Sequence, residues 1–162
     1  MITLKDGRQL YASPEDDTQA QFLSWVSGTQ KSLLILDYAF NIQALGTILP
    51  ELKAKGINVQ LCLDRSQSKG KNEAKLLSAL KADGFDIVIG TSDKHQIMHD
   101  KVAIRDDSVI YGSWNFSLEA SSQDNFYVID PTPEVVAFFT NQFNNIRQWI
   151  VTNEPQTKVK GE

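Results

Sequence analysis

Cysteine occurs once in the chain, at Cys62, so no disulfide framework can form within it. That residue lies in the apolar run 57–63 and reads as a small buried hydrophobe. No apolar stretch approaches the ~20 residues of a membrane span. Residues 1–17 lack the charged-then-apolar pattern of a signal peptide. The expectation is a soluble, cytoplasmic protein with no membrane partner. Positive charge is not in excess: 16 Lys and Arg face 20 Asp and Glu, for a net charge of -4. This balance argues against a strongly basic protein that coats nucleic acid, but not against an enzyme that grips phosphate at one small site. Histidine occurs only at His95 and His99. A His-x3-His pair shares one face only on a helix, and 94–100 shows no helical pattern, so no metal site is expected.

The 162 residues are 41% hydrophobic and 9% aromatic, enough to bury one sizeable core. A single domain is expected over 1–151, with the polar segment 152–162 as a flexible C-terminal tail. Ser13-Pro14-Glu15-Asp16 reads as a helix start, with Phe22, Trp25 and Val26 following at helical spacing as far as Gly28. Asn41 is positioned to cap a second helix carrying Ile42, Leu45, Leu49 and Leu52, which Pro50 should kink or break. A third helix is expected over 72–83. Pro131 and Pro133 open a last one with an apolar stripe from Val135 to Trp149. Between them, 32–36, 57–63 and 85–89 are short apolar runs that suit buried strands. Residues 101–105 and 108–111 flank the turn signal Asp106-Asp107 as a hairpin, and 125–129 is a further strand. This alternation predicts an α/β fold, a mixed and mostly parallel sheet sandwiched between helices.

The chemistry concentrates in 99–117. On a strand, residues two apart share a face, so His99 and Lys101 project together. The hairpin returns the chain beside them, where Gly112-Ser113-Trp114-Asn115 offers a hydroxyl and a carboxamide, with Gly112 allowing close backbone approach. An imidazole, an ammonium, a hydroxyl and an amide converging on one spot form an oxyanion-binding site that contains a nucleophile. Phosphate chemistry needs that combination.

The pattern resembles the phospholipase D superfamily, with its His-x-Lys-x4-Asp followed by Gly-Ser-x-Asn. Here the first part is His99, Lys101 and Asp106, and the second is Gly112, Ser113 and Asn115. Ser13-Pro14-Glu15, 36–40, 55–59, Leu63-Asp64 and 123–125 also fall where short members have similar segments. The resemblance is to the single-motif branch typified by small bacterial endonucleases, and it extends over about 10–150. Two departures stand out. Five residues separate Asp106 from Gly112 where members commonly have six, and Asp124 stands where glutamate is frequent.

The resemblance implies the phospholipase D/nuclease-like fold and a phosphodiesterase that needs no metal or other cofactor. His99 would attack phosphorus and become phosphohistidine, while Lys101 and Asn115, helped by Ser113, hold the phosphoryl oxygens. Asp124 would orient His99, and Asp106 is better suited to the turn than to the reaction. With one motif per chain, the implied partner is a second copy, and a homodimer would let one His99 serve as nucleophile and its mate as general acid. The implied substrate is nucleic acid, most simply DNA. The residues alone leave open a phospholipase or phosphatidyltransferase, and a nucleic-acid-binding module with a vestigial site. No amphipathic or basic-aromatic segment favours the lipid reading. Within 65–81, five basic residues face one acid, Glu73. Arg65, Lys69 and Lys71 follow a strand end, where parallel sheets place ligands, and are candidates for binding substrate.

Overall fold

The computed structural model describes residues 1–155. Its elements in chain order are β1 (Ile2–Thr3), β2 (Gln9–Ser13), α1 (Thr18–Ser27), β3 (Ser32–Asp37), α2 (Leu45–Ala54), β4 (Asn58–Asp64), α3 (Lys71–Ala82), β5 (Asp86–Gly90), β6 (Lys101–Arg105), β7 (Ser108–Gly112), a 3-10 turn at Glu119–Ser122, β8 (Asn125–Asp130) and α4 (Pro133–Asn153). All eight strands join one sheet in the order β1-β2-β8-β7-β6-β3-β4-β5.

The sheet is mixed and flanked by helices, as the alternation predicts, but its balance differs from expectation. Only β3–β4 and β4–β5 are parallel, and the other five pairings are antiparallel. A parallel return needs a crossover of about a dozen residues, usually helical. α2 and α3 supply it for β3, β4 and β5, whereas the segment from β5 to β6 contains no helix and delivers β6 antiparallel beside β3. The N-terminal β1 and β2, unmarked by any strong apolar run, extend the antiparallel half.

Each sheet face has its own core. Phe22, Trp25, Leu45, Leu49, Leu52, Leu76, Leu77 and Leu80 from α1, α2 and α3 cover one face, together with Trp114 and Phe116. On the other, α4 buries Phe143 and Ile150 against Leu36, Cys62, Val102 and Val109, with Val135, Val136, Phe139, Ile146 and Trp149 packed around them. The predicted aromatic stripe is thus core packing, and burial pushes the Cys62 thiol up to about 12, where it is inert.

Two helix starts differ from expectation. Ser13 ends β2, and its hydroxyl donates to the carbonyls of Ala120 (3.1 Å) and Gln123 (2.7 Å). The cap of α1 is Asp17, which accepts from Ala20 N at 3.2 Å. Asn41 does not cap α2 because its side chain binds the post-motif loop, accepting from Leu118 N (2.8 Å) and donating to Glu119 (3.1 Å). α2 starts later, at Leu45, and continues through Pro50 to Ala54. At the other end, α4 runs through Asn153, and Glu154 beyond it is buried, so the ordered structure passes the expected boundary at 151. Residues 156–162 of the expected tail lie outside the described residues.

Candidate active site

The site forms where the sheet changes from parallel to antiparallel. β3 and β4 finish there at Asp37 and Asp64, β6 begins there at Lys101, and β7 finishes there at Gly112. Asp37 pairs in register with Lys101, and Val102 with Tyr111. Both halves of the sequence motif therefore reach the same edge of the sheet, on the loops that precede β6 and follow β7. The hairpin turn is two residues long and its ladder is regular, with Arg105 opposite Ser108.

His99 is exposed, and its ring meets the Tyr38 ring edge-on at a centroid distance of 4.6 Å. Lys101 is only 7% exposed. Its Nζ donates to the His99 carbonyl at 2.9 Å and lies 5.1 Å from the centroid of the same Tyr38 ring. One tyrosine therefore supports both the imidazole and the ammonium. Burial lowers the Lys101 pKa, partly offset by the negative charges of Asp37, Asp100 and Asp64. Burial, and then the Lys101 charge, hold the His99 imidazole below its ordinary value. A neutral imidazole is the nucleophilic form, so the environment favours the state that attack requires.

Two strand-end carboxylates secure the motif segments. Asp64 is fully buried. Its Oδ2 accepts from Met98 N at 2.7 Å, immediately before His99, while Oδ1 accepts from Ser66 N at 2.8 Å. Asp37 is also fully buried, and its Oδ2 accepts from Phe116 N at 3.1 Å, immediately after Asn115. Burial raises the Asp37 pKa well above the usual carboxylate range, against the Phe116 hydrogen bond and the Lys101 charge. Behind it, Glu73 accepts from Phe40 N at 3.0 Å, and burial pushes its carboxyl up to about 7. The signal in the sequence was an acid closing each of two apolar strands. Tyr38, Gln67, which donates to the Tyr38 hydroxyl at 2.9 Å, and Glu73 carried no such signal.

Asn115 is half-buried, and its Oδ1 is buried without a hydrogen-bond partner in the described structure. A buried unpaired acceptor is costly, and this one adjoins the Asp37–Lys101 pair through Phe116. Ser113 Oγ accepts from Phe126 N at 3.1 Å, which ties the motif loop to β8. Gly112 is set by packing: a Cβ there would lie 2.3 Å from the Phe126 carbonyl oxygen.

Three sequence candidates sit apart from this cluster. Asp106 occupies the opposite end of β6, with φ +51°. Its carboxylate accepts from Gln30, Lys31 and Ser32 backbone N–H groups at 2.9, 2.8 and 3.0 Å. Burial pushes its pKa up, but those bonds outweigh it and hold the group below its usual range. Asp106 therefore clamps the hairpin to the start of β3. Asp124 is exposed and makes no hydrogen bond to the His99 ring among the described residues. The acidic groups whose charge bears on His99 are Asp100 and Asp64. Arg65 is paired with buried Glu154, which also accepts from Thr91 N at 3.0 Å, so it holds the end of α4 to the β4 and β5 ends. Lys69 is exposed on the loop after β4 and Lys71 is exposed at the first residue of α3, at the same end of the sheet as His99.

Comparison with known proteins agrees with this fold. The family described as "Cardiolipin synthase, PLD-like domain" matches residues 23–147. A protein named Phospholipase D from Rickettsia prowazekii (strain Madrid E) is 29% identical over 124 residues, covering 74% of this chain and 58% of that protein's length. Among solved structures, Nuc from Salmonella typhimurium, a phospholipase D family member, superposes with a TM-score of 0.81 at 21% identity, over 94% of this chain and 99% of that one. NucT from Helicobacter pylori gives 0.79 at 20% identity, over 87% and 95%. With the motif, the fold and the matched length in agreement, the chain belongs to the phospholipase D superfamily through its PLD-like domain.

Proposed function

We propose that the protein is a phosphodiesterase and, specifically, an endonuclease acting on DNA or RNA with little sequence preference. The observation that carries this reading is the pairing of an exposed His99 imidazole with a buried Lys101 ammonium on one Tyr38 ring. Such a pair presents a nucleophile beside a fixed positive charge, on an open rim that a polymer can reach. His99 attacks phosphorus, an N–P bond forms, and the P–O bond to the leaving oxygen breaks as that oxygen takes a proton. Water then attacks phosphorus, the N–P bond breaks, and the imidazole is restored. Lys101, Asn115 and Ser113 bear the charge that builds on the phosphoryl oxygens. In this reading the positive charge comes from side chains, and no metal is called for.

The leaving oxygen needs an acid, and one chain has one His99 at the site. We infer a homodimer in which the partner copy supplies it. Supporting this, Phe126 and Leu118, adjoining the motif loop, are 53% and 44% exposed, an apolar rim suited to a two-fold contact. Lys69 and Lys71 extend positive charge along the same end for the nucleic-acid backbone.

Plasmid, single-stranded DNA and phospholipid vesicles incubated with the protein in excess EDTA, beside His99→Ala, test the reading. Cleavage of nucleic acid by the parent protein alone is expected. Vesicle hydrolysis without nicking would assign the site to lipid, and loss of nicking in EDTA would overturn the metal-free chemistry. Light scattering at assay concentration should give the mass of two chains.

A further inference from the structure

A cavity of about 470 Å³ lies between the 91–100 segment and α4, within the ~300–1,000 Å³ typical of small-ligand sites. His99 and Asp100 form part of its lining, so it opens beside the proposed nucleophile. The reaction as described makes no use of it.

The lining is chemically selective. Ile97, Met98, Ile146 and Trp149 provide apolar surface, and Trp149 also holds His95 edge-on at 5.8 Å. Gln142 and Asn145 provide carboxamides. Gln142 Nε2 donates to Asp100 Oδ1 at 2.6 Å, which fixes that amide and leaves its carbonyl to accept. Asn145 is exposed, and its side chain makes no hydrogen bond among the described residues. No lysine or arginine lines the cavity, while Asp93 and Asp100 contribute acid. A phosphate is therefore repelled. An acyl chain would leave the Gln142 carbonyl and the Asn145 carboxamide without a hydrogen-bond partner in the cavity. A flat, uncharged group with a hydrogen-bonding edge satisfies both kinds of wall: apolar side chains take its face and amides its rim.

We propose that this cavity is a subsite for the nucleobase adjoining the scissile phosphate, held between Trp149 and Ile97 and hydrogen-bonded at its edge by Gln142 and Asn145, whose amides each offer a donor or an acceptor and so accept any base. The assignment rests on the nuclease reading. It means that the base neighbouring the cut, as well as the phosphate, contributes to recognition.

The test uses a single-stranded oligonucleotide with one abasic residue, its intact counterpart, and a base-free chromogenic phosphodiester. The parent protein should cut beside the abasic residue roughly ten-fold more slowly than at the same phosphate with its base, the scale of one lost stacking contact. In an I97A/N145A variant, altered only at exposed positions, that difference should shrink to about two-fold or less. Its rate on the oligonucleotide relative to the base-free diester should fall correspondingly. Equal cutting with and without the base by the parent protein overturns the subsite while leaving the nuclease reading intact, and needs no variant to fold. Hydrolysis of the base-free diester with no cleavage of any nucleic acid overturns both. Phospholipid hydrolysis that is sensitive to I97A/N145A, with base discrimination absent, assigns the cavity to an acyl chain instead.

Discussion

At the scale of single residues, the site depends on groups that never meet the substrate. Asp37 holds Phe116 N, and through it Asn115. Asp37→Ala leaves that N–H buried and unpaired, at a cost of about 1–3 kcal/mol, and frees the loop to move. Steady-state kinetics should show kcat down roughly 10- to 100-fold, with KM for the substrate little changed. Asp37→Asn keeps an accepting oxygen and should recover most of the loss. Lys101 acts on His99 through charge. Its ammonium adds to burial in lowering the imidazole pKa, so Lys101→Gln should move the His99 titration, followed by NMR, to higher pH. A shift downward would show that the pair does not interact as described. In the parent protein, the acid limb of kcat/KM should fall below the ~6.5 of an ordinary histidine, because His99 stays neutral further into acid.

At the scale of elements, the β6–β7 hairpin has distinct ends. The far end is structural: Asp106 gathers three backbone N–H groups there. Asp106→Ala should cost about 1–3 kcal/mol of stability, read as a lower denaturation midpoint. A comparable loss of kcat per folded molecule would instead tie that end to the reaction. The near end is a close contact between strands. Gly112→Ala would place a methyl 2.3 Å from the Phe126 oxygen and force β7 from β8. It should cost about 1–3 kcal/mol or more and displace Ser113, whose hydroxyl is bonded to Phe126 N. The one-residue shortening of the segment between Asp106 and Gly112 is absorbed without a break in the ladder.

At the scale of the whole molecule, the buried acids behind the site make stability pH-dependent. Glu73 has its pKa raised to about 7 by burial, above its unfolded value of ~4.3. The folded state therefore binds this proton more tightly. Its contribution is fully present below pH ~4, declines as pH rises through the window, and is lost above about 7. Glu73→Gln keeps an acceptor for Phe40 N and removes the charge. It should raise stability by roughly 1–3 kcal/mol at pH 8 and by little at pH 4, measured by denaturant titration at the two pH values. An equal gain at both would remove the buried charge as the cause.

The whole-molecule view also shows what the sequence could and could not disclose. The strands at 32–36, 57–63 and 85–89 were legible because apolar residues dominate each short run and their side chains pack into the cores on the two sheet faces. The last helix was legible from its stripe and its prolines. The antiparallel majority was not, because pairing direction depends on what joins β5 to β6, and that segment has no periodicity. Ser13 and Asn41 looked like helix caps because the same hydroxyl and amide serve equally well in long-range bonds. At the site, His99, Lys101, Gly112, Ser113 and Asn115 were visible by spacing, and the structure brings their loops to one edge. Arg65 looked available by charge alone, and only the fold reveals its pairing with Glu154.

Covalent chemistry at His99 is tested most directly by trapping its intermediate. An oligonucleotide reaction quenched in alkali during turnover, digested and mapped by mass spectrometry, should yield one phosphorus adduct on the peptide carrying His99, absent in His99→Ala. That variant should also lose activity by on the order of 10³-fold or more. Turnover at full rate with no adduct, or with the phosphorus on another residue, would rule out His99 as the nucleophile.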